Sequence, residues 1–150
     1  MRLYEDAAAW MHPSKVVGVA RDITATRHLQ SELARQANHD ALTGLPNRML
    51  LLRRAAEVID GIRDTRRRAA ILFMDVDRLK EVNDTVGHEV GDALLGEMAQ
   101  RLRVATRIDE IVCRLGGDEF VVAVPGIADV ADLIARAEEI RDALSRPWEY

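Results

Sequence analysis

One cysteine, Cys113, occurs in 150 residues. A lone thiol forms no internal disulfide and no multi-thiolate metal site, and its apolar neighbours Ile111 and Val112 predict a small buried side chain. A reducing compartment, the cytoplasm, suits that usage. Surplus positive charge is also missing. The formal net charge is -4, which excludes the overall positive field that holds nucleic-acid phosphates. The one dense basic run, Arg66-Arg67-Arg68, reads as a solvated connection before an apolar segment. No apolar stretch approaches the roughly 20 residues of a membrane helix, and the start has neither the basic head nor the apolar region of a signal peptide. Internal repeats and low-complexity tracts are absent.

What is present is ordinary globular material, 48% hydrophobic and 31% charged, enough for one core of typical domain size. Residues 15–20 (KVVGVA) predict a strand, and Arg21 to Thr24 can end it and cap a helix. Over residues 25–37, Leu29, Leu33 and Ala37 recur at helical spacing and predict a connecting helix able to pair. The turn formers of NHDALTGLPN, residues 38–47, predict the start of a second domain, with Pro46 in the first turn of the helix that follows. The pattern then predicts a helix over 48–62, a strand over 69–76, a helix over 92–106, hairpin arms over 111–115 and 120–124, and a last helix over 130–144.

That order is most of a split βαβ arrangement: an α+β fold with a ferredoxin-like βαββαβ antiparallel sheet and its helices on one face. A closing strand is expected beside the first strand, and the residues up to Tyr150 do not supply it. The first strand is therefore expected to keep an unprotected edge.

In ILFMDVD, Asp75 and Asp77 lie on one side of an extended chain, because strand side chains alternate with period two. Two such carboxylates suit a hard cation shared with nucleotide phosphates, and equally a solvated strand end. Gly116 and Gly117 permit a tight turn and close ligand approach, leaving Asp118 and Glu119 projecting from a hairpin tip. The central hairpin strand of a βαββαβ sheet neighbours the first strand, so Asp75, Asp118 and Glu119 can share a metal. A wet polar turn is the plainer alternative. Between these sites runs the polar stretch KEVNDTVGHEVGD. Asn83 and Asp92 together can recognise a guanine edge, which offers both acceptors and donors, and Lys80 can meet phosphate. Taken singly, Asp92 reads as a cap or first-turn acid and Asn83 as a turn former. His88 has no second ligand at metal spacing and reads as structural. Leu94, Leu95, Met98 and Leu102 form a core-facing stripe.

Together, DALTGLPNR from Asp40, FMDVDRLKEVNDTVGHEVGD from Phe73 and RLGGDEF from Arg114 resemble the GGDEF family of diguanylate cyclases over residues 38–150. The resemblance implies a palm-like fold in which two GTP-loaded domains meet as a homodimer and form cyclic di-GMP and pyrophosphate, with Mg²⁺ or Mn²⁺. It implies that Asp75, the carbonyl of Val76 and Asp118 hold the metal with help from Glu119, and that Asn83 and Asp92 contact guanine. Gly116 and Gly117 then let the nucleotide lie against the hairpin, Lys80 faces the triphosphate, and Asp118 or metal-bound solvent helps deprotonate the attacking 3′-hydroxyl.

The chain departs from the family pattern in three places. The inhibitory Arg-x-x-Asp motif reads Arg107-Ile108-Asp109-Glu110, so product feedback and a structural ion pair between Arg107 and Glu110 remain equal readings. Leu79 replaces an aromatic residue. A Ser-x-Gly strand and a final helix with a basic phosphate contact do not follow, which implies impaired catalysis. Upstream, KVVGVARDITATR resembles the end of a PAS sensor domain. The expected organisation is thus a sensor-domain remnant over 1–24, a linker helix over 25–37 and a partial GGDEF domain over 38–150. A non-catalytic module binding GTP or cyclic di-GMP, and a dimerising signalling fragment, are the competing functions.

Overall fold

The computed structural model describes residues 4–12, 15–63 and 65–147, with side chains from residue 21 onward. The chain divides into two compact units, Met1–Ala37 and Asn38–Tyr150. In the first unit, β1 (Tyr4–His12) and β2 (Lys15–Asp22) form an antiparallel hairpin with Trp10 opposite Val17. The segment YEDAAAWMH lacks the alternation that marks a strand, which is why β1 was not expected. The expected sensor-domain remnant falls partly on residues 1–3, 13 and 14, outside the described residues. Helix α1 (Thr24–Asn38) follows and has no buried residue. Its start is fixed by Asp22, whose Oδ1 accepts the Thr24 N–H at 2.9 Å.

The second unit runs α2 (Arg48–Ile62), β3 (Arg68–Asp75), α3 (Leu79–Val86), α4 (His88–Ala105), β4 (Ile111–Gly116), β5 (Glu119–Ile127) and α5 (Val130–Leu144). Its sheet is antiparallel with strand order β3-β5-β4. β5 lies in the middle because its run of Phe, Val and Ala can be buried on both faces. On one face Phe120, Val122 and Val124 meet Leu95, Ala99, Leu102 and Ile140 of α4 and α5. On the other, Val121 and Ala123 meet Ile111, Cys113 and Leu51 of α2. Helices therefore cover both faces, not one. The split βαβ unit does carry its own helices on a single side, but α2 precedes that unit and its Leu51 stripe needs the opposite face. Complete burial of Phe120 makes it an anchor whose truncation to Ala would cost about 3–5 kcal/mol.

Two further boundaries differ from expectation. Asn47, not Pro46, opens α2, its side chain accepting the Leu50 N–H at 3.1 Å. The Pro46 carbonyl instead accepts the Arg114 N–H at 3.0 Å. The polar stretch after β3 is helical as α3, and α4 begins at His88, a turn earlier than Asp92. β3 hydrogen-bonds to β5 alone among the described residues, and Phe73 on it is 74% exposed. No helix among the described residues is long and apolar enough to cross a membrane.

Candidate active site at the strand end and hairpin tip

Antiparallel pairing of β3 with β5 sets Asp75 directly opposite Glu119. Both side chains are exposed. Like charges in a cross-strand pair repel, and nothing on either strand neutralises them, so the arrangement favours a cation between or beside them. Asp118 is half-buried in the preceding turn. Gly116 and Gly117 hold φ of 147° and 55°, and a Cβ at either would meet nothing within 4 Å. The glycines therefore answer a backbone need and leave the face of the turn open. The Val76 carbonyl accepts the Leu79 N–H at 3.3 Å and keeps a second lone pair. No three His, Cys, Asp or Glu side chains among the described residues are grouped tightly enough to hold a metal by themselves. What stands here is an incomplete, oxygen-only set. It fits a hard cation such as Mg²⁺, which takes one or two carboxylates and completes its shell from phosphate and water.

Past β3 the chain turns at Arg78, the single non-glycine residue with positive φ (60°) among the described residues. Buried Leu79 then pins the first turn of α3 into the core, so the position where an aromatic was expected is filled by an aliphatic anchor. Lys80 is exposed beside it. Asn83 lies on the same helix, half-buried, with its Oδ1 fully buried and accepting no hydrogen bond. Such an orphan acceptor costs about 1–3 kcal/mol. Asp92 is exposed in the second turn of α4, so it caps nothing. His88 is exposed at the first position of that helix.

Arg114 was not singled out from sequence, although it sits two residues before the glycine pair. Its side chain is buried. Nε and Nη2 both donate to the Gly117 carbonyl, at 3.0 and 2.6 Å, while Nη1 donates to Asp40 Oδ1 at 2.9 Å. Asp40 Oδ1 also accepts from the Thr43 hydroxyl at 2.7 Å and the Thr43 N–H at 2.8 Å. Burial alone would raise the Asp40 carboxyl, but the bonds from Thr43 and Arg114 outweigh it and hold the group below its usual range. One guanidinium thus ties the hairpin tip to the opening loop of the domain. The signal available in sequence was a lone arginine in an apolar strand, which needs a buried partner.

Arg107 and Glu110 are neighbours, but their side chains do not pair. Glu110 is buried and accepts from Arg136 Nε at 2.6 Å and Nη2 at 2.5 Å, and from the Arg107 backbone N–H at 2.8 Å. Burial pushes its carboxyl up, and these donors bring it below its ordinary value. The Arg107 guanidinium reaches Glu139 at 2.9 Å, more than half-exposed.

The model of the diguanylate cyclase GGDEF domain matches residues 37–150. The bifunctional diguanylate cyclase/cyclic di-GMP phosphodiesterase MucR of Pseudomonas aeruginosa is 45% identical over 127 residues, 84% of this chain and 18% of that protein. The diguanylate cyclase TpbB of the same organism is 41% identical over 117 residues, 78% of this chain and 27% of that protein. The chain thus spans about a fifth to a quarter of these curated relatives. A sensory box/GGDEF family protein from Caulobacter crescentus superimposes with a TM-score of 0.70 at 39% identity, covering 75% of this chain and 73% of the other. With the RLGGDEF segment turning from β4 into the central strand β5 of a three-stranded antiparallel sheet and a match across the whole second unit, the chain belongs to the GGDEF diguanylate cyclase domain family.

Proposed function

We propose that the domain over 38–150 condenses two GTP molecules into cyclic di-GMP with release of two pyrophosphates, as a homodimer in which each copy holds one GTP. The observation that carries this reading is the cross-strand register of Asp75 with Glu119, which gathers acidic oxygen donors beside an open glycine turn. Asp75, the Val76 carbonyl, Asp118 and Glu119 would hold Mg²⁺ or Mn²⁺. When bound, the ion neutralises charge on the triphosphate. Lys80 adds a cation toward the same phosphates, while Asn83 and Asp92 read guanine. The 3′-hydroxyl of each GTP bonds to the α-phosphorus of the other, the bond from that phosphorus to pyrophosphate breaks, and Asp118 takes the hydroxyl proton.

Arg107 and Glu110 are the candidates for product feedback. Because the Glu110 carboxylate is committed to Arg136, feedback would rest on Arg107 alone and be weak. Residues 1–24 are proposed as the end of a PAS-like sensor domain in the cytoplasm. The linker helix would pair with a second copy through Leu29 and Leu33, which are 63% and 56% exposed.

Incubation of the chain with GTP and Mg²⁺, followed by chromatography, should yield cyclic di-GMP and pyrophosphate. GTP bound without turnover would instead mark a regulatory module, and dimerisation with no nucleotide bound would mark a signalling fragment.

A further inference from the structure

Gly91 is buried on the core-facing stripe of α4, with Leu95, Ala99 and Leu102. A Cβ built there would stand 1.9 Å from Asn83 Oδ1, 3.0 Å from its Cγ and 3.4 Å from its Nδ2. The three nearest atoms thus all belong to one carboxamide, so the volume a methyl group would fill is taken by the amide of Asn83. The oxygen lies nearest that position, is buried and accepts no hydrogen bond. Packing alone does not explain a polar atom tucked unpaired against a glycine, because an apolar side chain would fill the slot without that loss. Turning the oxygen inward has one chemical result, which is that the amide's donor end is left for a ligand. Asp92, the next residue, is exposed and supplies only acceptors.

We infer that Gly91 is the residue that positions Asn83 for nucleobase selection, by providing the slot that fixes which end of the amide faces the ligand. This rests on the nucleotide reading of the site. A donor from Asn83 beside an acceptor from Asp92 matches an edge carrying both an acceptor and N–H donors, as guanine does. Adenine would set a ring acceptor against the carboxylate. Adding a single carbon at position 91 expels the amide from its slot and scrambles that donor–acceptor order while leaving Lys80 and the hairpin tip untouched.

The test is calorimetric titration of GTP, ATP and inorganic triphosphate into the full chain and three variants: Gly91→Ala, Asn83→Ala and the double substitution. Gly91→Ala should weaken GTP about tenfold and narrow the GTP to ATP ratio, with triphosphate affinity unchanged. Asn83→Ala should match it. The double variant, in which the clash is gone, should melt like Asn83→Ala and bind GTP no worse than either single variant. A merely structural glycine would lower all three ligands together or none. If Gly91→Ala keeps GTP affinity and base preference while Asn83→Ala loses both, the inference is overturned and the nucleotide reading stands. If Asn83→Ala also keeps both, the guanine reading falls with it.

Discussion

Asp40 and Arg114 are 74 residues apart in sequence and 2.9 Å apart in space, and the same guanidinium closes on the Gly117 carbonyl. The hairpin tip is therefore held from outside the hairpin. Removing the guanidinium strips a half-buried carboxylate of its counter-charge, leaving it only the Thr43 donors, and takes both donors from the Gly117 carbonyl. Arg114→Ala should destabilise the domain by about 3 kcal/mol, the lower end of what a broken buried pair costs. Arg114→Lys keeps the charge but not the fork and should lose about 1–2 kcal/mol. Urea unfolding of both variants and of Asp40→Asn, combined in a double-mutant cycle, measures the coupling. Additive losses would mean the two residues act independently.

Asp75→Asn separates catalysis from folding. If the opposed carboxylates exist for a cation, the variant should lose about a hundredfold in Mg²⁺-dependent turnover. Relief of the repulsion across from Glu119 should at the same time raise its metal-free melting temperature. A variant that is both inactive and less stable would argue that Asp75 serves the sheet and not the ion.

Glu110 gives the fold an acid-sensitive element. Its carboxyl is depressed below the ordinary value of 4.5 by Arg136 and the Arg107 N–H, against the upward push of burial. A depressed carboxyl contributes stability that is complete above the unfolded value and is lost as pH falls through the folded one. Native stability should therefore decline below about pH 4.5. Glu110→Gln should cost about 3 kcal/mol at pH 7 and show a flatter acid limb. The same engagement predicts that cyclic di-GMP inhibits the native chain only weakly and that Arg107→Ala abolishes what inhibition there is.

The open side of β3 predicts self-association. Phe73 and Ile71 are 74% and 46% exposed on a strand hydrogen-bonded on one side among the described residues, a template for pairing with another chain. Light scattering should rise with concentration for the native chain and fall for Phe73→Lys, which places a charge on the edge. Equal scattering by the two would exclude β3 as the contact.

The strands and most helices of the second unit were legible because their apolar patterns are strong: the unbroken apolar run from Ala69 to Met74 and the stripe through Leu95 and Leu102 leave little choice. The acidic tip was legible for another reason, since Gly116-Gly117 between two β-rich arms demands a turn and so aims Asp118 and Glu119. α3 was hidden although Leu79, Val82 and Val86 keep helical spacing, because the segment is short, mostly polar and followed by Gly87, and the helix is held by Leu79 entering the core. β1 was hidden by its alanines. Arg114, Asp40 and Gly91 were passed over because their roles depend on partners distant in sequence or on space that a side chain leaves empty. No local pattern records either.

Cys113 is fully buried in the layer between α2 and the sheet, beside Leu51 and Val121. Burial, with the Asp40 charge adding, pushes its thiol up to about 11. A soluble thiol reagent can meet this sulfur only in the moments when α2 lifts away, so the labelling rate of the chain's one cysteine is a clock for that opening. It adjoins Arg114 on the same strand, and a ligand that tightens the hairpin tip should slow the clock without touching the sulfur.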